Sequence, residues 1–269
     1  MGGTSIAFRS ATYLNISNPA SFSGLDSLVS IFEIGLFGKY TSYASFTKNQ
    51  SSIDANFRYV VMGFRITPWL ATSFGFAPYS TIGYNINTKS DVEGSNLKYS
   101  KVFSGDGGIN RTFLSTSFKI TKNLALGVNA SWLFGNITHR ELSETYYYTL
   151  EDVTYLSNFH LNYGLNYRFA INENNFSVGL IFGDSKKLNA KNTTTIKTNT
   201  ETEVIRGRSS KYSIPRNFGA GLAYERGFFQ AGIDFERSLW EGTEFKNLSL
   251  LHISETTRLL SISYAVLRL

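Results

Sequence analysis

Leu124-Ala125-Leu126-Gly127-Val128-Asn129-Ala130-Ser131-Trp132-Leu133-Phe134 is the stretch that decides the fold class. The even positions are bulky and apolar and the odd positions are mostly small or polar, a period of two that predicts a strand with one face toward something greasy. The pattern recurs. Phe159, Leu161, Tyr163, Leu165, Tyr167 and Phe169 alternate with His160, Asn162, Gly164, Asn166 and Arg168, and Phe229, Ala231, Ile233 and Phe235 alternate with Gln230, Gly232, Asp234 and Glu236. A sandwich would bury the apolar face and solvate the other. Many such strands in series, with charges on the second face, fit an all-β, antiparallel transmembrane β-barrel whose outside is lipid.

Composition points the same way: aromatics are 15% of the chain and charged residues only 17%, below the quarter or so usual for soluble domains. Mean hydropathy is −0.13, and no run approaches the roughly 18 apolar residues of a transmembrane helix. Barrels escape a hydropathy scan because half of each strand faces the lumen. The 269 residues include no cysteine, which excludes disulfides, thiolate metal sites and cysteine nucleophiles. The net charge of +6 is scattered rather than gathered into a patch, which favours anionic lipid headgroups over nucleic acid. The start at Met1-Gly2-Gly3 has no basic segment followed by an apolar core, so the numbering is expected to begin inside a processed chain.

Strands are predicted at roughly 28 to 44, 55 to 67, 69 to 83, 110 to 121, 124 to 136, 155 to 170, 176 to 184, 212 to 225, 228 to 237 and 255 to 267, about ten in all. Tight turns such as Thr67-Pro68, Thr121-Lys122-Asn123 and Glu225-Arg226-Gly227 alternate with long polar loops at roughly 45 to 54, 84 to 110, 136 to 155, 184 to 212 and 237 to 254. Short turns at one end and long loops at the other characterise outer-membrane barrels. Arg58, Val60, Met62, Phe64 and Ile66 are expected to share one face of their strand. Trp69, Tyr79, Trp132, Tyr155, Tyr212, Tyr224 and Trp240 fall near predicted strand ends and read as aromatic girdles. Leu260, Ile262, Tyr264 and Val266 form an apolar face, yet Arg268-Leu269 supplies no terminal aromatic, as in a chain that stops before its barrel does.

The first 26 residues do not alternate, and Pro19 argues against an inner strand there. Met1-Gly2-Gly3-Thr4-Ser5-Ile6-Ala7, a short gap, and Asn15-Ile16-Ser17-Asn18-Pro19-Ala20-Ser21, followed at once by an apolar strand, resemble the N-terminal hatch of the FadL family of outer-membrane transporters for hydrophobic compounds. The resemblance implies that residues 1–26 fold as a plug inside a barrel of residues 27–269, with Asn18, Pro19 and Ala20 as the hatch or gating motif. The residues alone also allow a flexible leader. The family has about fourteen strands, so either some are missing at the C-terminus or the count of ten merges some across loops. The implied function is passive uptake of hydrophobic small molecules such as long-chain fatty acids or aromatic hydrocarbons. Some barrels of that family are instead accessory subunits of outer-membrane complexes, including one beside the type IX secretion translocon. Tyr146-Tyr147-Tyr148 in a long loop would suit such a partner, or simply face solvent.

Phe64, Phe74 and Phe76 are candidates for a hydrophobic ligand route, or for packing against hatch or lipid. Enzyme signals are poor. His139 and His252 belong to or border outer loops, and His160 shares a lumen face with Asn162, but no spacing identifies a partner serine. Gly105-Asp106-Gly107-Gly108 lacks the Lys-Ser/Thr of a phosphate loop and reads as a loop ending. Arg206, Arg208 and Lys211 are the densest basic cluster, either a solvated loop or a contact for lipopolysaccharide phosphates. No cofactor, metal ligand set or catalytic residue is expected.

Overall fold

Residues 124–134 are the first half of one strand, and antiparallel strands make up most of the described residues. The computed structural model describes residues 4–27, 29–44, 49–91, 98–143, 147–207, 212–227, 229–240 and 261–264. A short 3-10 helix, Pro19–Gly24, precedes β1 (Ser30–Ala44), β2 (Asn49–Thr67), β3 (Leu70–Asp91), β4 (Lys98–Lys119) and β5 (Leu124–Ser143). There follow β6 (Tyr148–Ile171), β7 (Asn174–Gly183), β8 (Lys186–Thr198), β9 (Thr202–Gly207) and β10 (Tyr212–Ile214). The last are β11 (Arg216–Arg226), β12 (Phe229–Leu239) and β13 (Ser261–Tyr264).

These thirteen strands form one antiparallel sheet with the path β1-β2-β3-β4-β5-β6-β7-β11-β12-β13, while β8 pairs with β6, β9 and β10. β6 pairs with β7 along one half (Asn162↔Gly183) and with β8 along the other (Ser157↔Asn189), so β7 and β8 form one long excursion broken at Asp184-Ser185. β10 and β11 return beside it, interrupted at Pro215, which has no N–H to give a ladder. The sheet is strongly curled, because Glu33 on β1 and Asp234 on β12 both bond the same N-terminal segment from opposite ends of the path. Among the described residues β1 pairs only with β2, and β13 only with β12.

Burial is inside out. On β5, Ala125, Asn129 (3% exposed) and Ser131 (1%) are buried, while Leu126 (41%) and Trp132 (53%) are exposed. Ser115 and Ser117 are buried beside exposed Leu114 on β4, and buried Asp234 lies between exposed Ile233 and Phe235 on β12. An outward apolar face with small polar groups packed inside is what lipid, not water, selects.

Four expectations are corrected. The polar segments at roughly 84 to 110, 136 to 155 and 184 to 212 are mostly strand, with pairing maintained from Tyr84↔Gly105 to Asp91↔Lys98 and up to Ser143↔Tyr148. Alternation fades where both faces meet water, but the backbone ladder does not need it. The 24 residues of β6 extend roughly 80 Å, far beyond a hydrocarbon core of about 30 Å. Cross-strand charges hold these extensions: Lys101 Nζ lies 2.7 Å from Glu141 Oε1, which also accepts from Tyr148 Oη, and Arg140 Nη2 lies 2.6 Å from Glu151 Oε2.

Gly105-Asp106-Gly107-Gly108 accordingly lies inside β4, not at a loop end. Arg58 leaves the outward row of Val60, Met62 and Phe64, because the β1–β2 register skips it between Ile34↔Val60 and Leu36↔Phe57 and this bulge turns it inward. Tyr79 is likewise passed over between Pro78↔Asn110 and Ser80↔Ile109, and with Tyr212 it lines the interior rather than a girdle. Trp69 stacks on Phe118, and Phe169, Phe176, Tyr224 and Phe229 form a continuous ring row beside the short turns. Gly2, Gly3, Tyr146, Arg208, Lys211, His252, Leu260 and Val266 lie outside the described residues, and Arg206 is exposed on β9.

Candidate functional site

The inner face of the sheet is occupied by residues 4–25, which the Asn-Pro-Ala motif organises. Asn18 caps the 3-10 helix: its Oδ1 accepts the Ala20 N–H at 3.0 Å, and Pro19 follows where a missing N–H is harmless. Asn18 Nδ2 donates to Ile6 O at 2.7 Å and Leu165 O at 3.1 Å, tying the helix to its own chain and to β6. Asn18 is fully buried, so each of these bonds satisfies a group that water does not reach.

The wall supplies the rest. Ser117 Oγ donates to Ala20 O at 3.0 Å, and Asn166 Nδ2 donates to Ala7 O at 2.9 Å. Asp234 Oδ2 accepts from Ser5 N–H at 2.6 Å and Ile6 N–H at 2.9 Å; Glu33 Oε1 accepts from Leu14 N–H at 2.7 Å. Arg65 Nη2 donates to Ser23 O at 2.8 Å, and Arg9 donates to the Ser23 hydroxyl. Burial, then the like charges of Arg168 and Arg65, push the Arg9 guanidinium down to about 10. Close approach explains the inward glycines. A Cβ at Gly127 would lie 2.2 Å from Ala20 N, and one at Gly164 would lie 2.1 Å from Asn18 Oδ1.

Above this segment is a cavity of about 930 Å³, floored by Ile6, Ile16, Ser17 and Pro19. One wall is apolar, with Ile109, Ile137, Leu188 and Ile214 in a single buried cluster that Ile82 and Tyr212 join. The other lining groups include Arg58, Arg111, His160, Asn162 and Glu236. The cavity thus combines an apolar wall with a few polar groups in its lining.

Asn18, Pro19 and Ala20 thus meet β4, β5 and β6 beneath the cavity. Phe64, Phe74 and Phe76 stand on the outward face instead: Phe74 is half exposed, the Phe76 ring lies 5.9 Å from Phe57 and 6.3 Å from Phe134, and none of the three lines the cavity. His139 Nδ1 meets Tyr84 Oη at 2.8 Å. His160 Nε2 meets Asp184 O at 3.0 Å, with no serine hydroxyl bonded to it among the described residues. Sequence reasoning missed Arg111 and the isoleucine wall. The signal was the inward row Ile109, Arg111, Phe113, Ser115, Ser117, of which Ile109 fell in the predicted loop.

A solved structure of the TodX deltaS2S3 mutant monoaromatic hydrocarbon channel is 14% identical and superimposes with a TM-score of 0.57, covering 90% of this chain and 70% of the other. The Pseudomonas putida toluene transporter TodX gives 14% identity and a TM-score of 0.52, covering 89% and 68%. These likenesses show a shared β-barrel fold. No curated protein sequence matches the chain. The BamG family model matches residues 1–256, nearly the full length, and the chain therefore belongs to the BamG family.

Proposed function

We propose that the chain is an outer-membrane β-barrel of a Gram-negative envelope that admits hydrophobic small molecules passively, with residues 1–26 as hatch and residues 27–269 as barrel. The observation that carries this reading is the cavity itself: an isoleucine and leucine wall over a floor made by the N-terminal segment, inside a sheet whose outer face is apolar. TodX lends support as a barrel of the same fold that carries aromatic hydrocarbons. Outer-membrane lipids and lipopolysaccharide surround the barrel, and Asn18, Pro19 and Ala20 set the position of the hatch. A route to the cavity passes over the isoleucine wall, with Phe64, Phe74 and Phe76 facing lipid beside it. The test is uptake of long-chain fatty acids or toluene into liposomes containing the purified protein; no excess over protein-free liposomes would refute the reading.

A second reading makes the chain an accessory subunit of a larger outer-membrane complex. It is favoured by the BamG match and by β1, which among the described residues pairs only with β2 and whose outer row of Phe32, Ile34, Leu36 and Tyr40 is strongly exposed. Native mass spectrometry of the protein extracted from membranes separates the two readings. A stoichiometric large partner supports the subunit; the isolated barrel supports the channel.

A further inference from the structure

Three guanidiniums converge on the N-terminal segment from the side away from the cavity. Arg9 donates to the Ser23 hydroxyl and Arg65 Nη2 donates to Ser23 O at 2.8 Å, so a residue of the segment and a residue of β2 meet at one serine. Arg168 joins them from β6. It is the next residue of the inward row after Asn166, whose side chain holds Ala7 O, and it acts on Arg9 as a like charge, as Arg65 does. All three belong to the short-turn end: the Arg168 N–H donates to Asn123 O, and Arg65 stands two residues before β2 ends at Thr67. None of them lines the cavity.

Charge is out of balance there. Among the described residues, Glu225 is the one carboxylate within ion-pair distance of the group, 2.8 Å from Arg168 Nη2, while Asp26 is exposed and pairs with none of the three. Three cations against one carboxylate leave two positive charges uncompensated. Arg9 is only 8% exposed, and its Nε is shut off from solvent without a hydrogen-bond partner. A buried guanidinium with an idle N–H beside two like charges is unfavourable unless an anion completes it. The Arg168 side chain, 36% exposed, is the open rim of the cluster.

We propose that Arg9, Arg65 and Arg168 form a binding site for a dianionic phosphate group, entered from the short-turn end past Arg168, that clamps the N-terminal segment to β2 and β6. The uncompensated charge matches a dianion, and guanidinium N–H groups match its tetrahedral oxygens. A phosphate held there bridges one residue of the segment to two residues of the wall. It binds only the docked arrangement and therefore stabilises it. The site lies apart from the hydrophobic cavity and stands whether or not the barrel admits hydrophobic compounds.

The test is isothermal titration of the full chain in amphipol, in chloride buffer, with inorganic phosphate, glycerol 3-phosphate and acetate. The tighter phosphate is expected to bind at least tenfold more strongly than acetate, and at saturation to slow proteolytic cleavage within residues 4–25 severalfold. Tighter binding of glycerol 3-phosphate assigns the site to phosphate monoesters; tighter binding of inorganic phosphate assigns it to the free ion. Arg9→Met and Arg168→Gln, each checked for folding by heat-modifiable migration, are expected to weaken phosphate binding at least tenfold and to abolish the protection. Arg168→Gln lies at the rim and decides the matter should Arg9→Met not fold. Phosphate binding no tighter than acetate, binding that survives the substitutions, or binding that leaves cleavage unchanged overturns the proposal.

Discussion

Arginine placed at two outward positions of the same strand tests the inside-out barrel by depth. Val128 and Leu142 have the same parity on β5, opposite the buried Ala125, Asn129 and Ser131. Val128 stands about four residues above the short turn that ends at Leu124, which puts it near the middle of a roughly 30 Å core crossed by tilted strands. Leu142 is fourteen residues further on in the same strand, roughly 46 Å along it at about 3.3 Å per residue. Even with a tilt near 40°, that is about 35 Å of height, well beyond the far membrane interface. Val128→Arg should lower folding stability in lipid by about 2 to 4 kcal/mol, and Leu142→Arg by about 0 to 1 kcal/mol. Urea titration in phospholipid vesicles, followed by heat-modifiable migration, reads both. Equal small penalties would mean that the exposed row of β5 does not face lipid, and the assignment of inside and outside would fall with it.

Other outcomes follow from the same geometry. Asn18→Ala strips the partners of Ala20 N–H, Ile6 O and Leu165 O and should cost about 2 to 4 kcal/mol, measured by the same titration. Gly127→Val drives a side chain into the Pro19–Ala20 backbone, so the barrel should fold while residues 4–25 become cleavable by added protease; unchanged protection would contradict the contact. Because the chain has no cysteine, Trp132→Cys and Ser131→Cys are clean single probes: a lipid-soluble maleimide should label the first at least tenfold faster than the second. Asp234→Asn replaces charge-assisted acceptance of two N–H groups by a neutral one and should lower stability by about 1 to 2 kcal/mol.

What the sequence revealed, and what it hid, follow from where water lies. In β5 and the lower half of β6, one face meets lipid and the other meets the N-terminal segment, so alternation is strict and the strands were legible residue by residue. Above that level both faces are wet. Lys98 to Gly105 and Lys186 to Thr198 therefore read as loops although their backbones are paired. Bulges broke the count at Arg58 and Tyr79, since one extra residue turns a side chain to the other face without any change in composition. The apolar wall of the cavity was hidden for a different reason: Ile137 and Leu188 come from strands read as loops. The Asn18-Pro19-Ala20 cap was legible through resemblance, whereas its bonds to Leu165 O and Ser117 are long-range and carry no local signal.

In the proposed channel, residues 4–25 fill the interior and limit passage through the barrel. Planar-bilayer conductance of the full chain against a chain lacking residues 1–25, each verified as folded by heat-modifiable migration, reads this role. Low conductance is expected for the full chain and a several-fold larger, sustained conductance for the deletion. Equal conductance from two folded barrels would contradict it and place the N-terminal segment outside the permeation path.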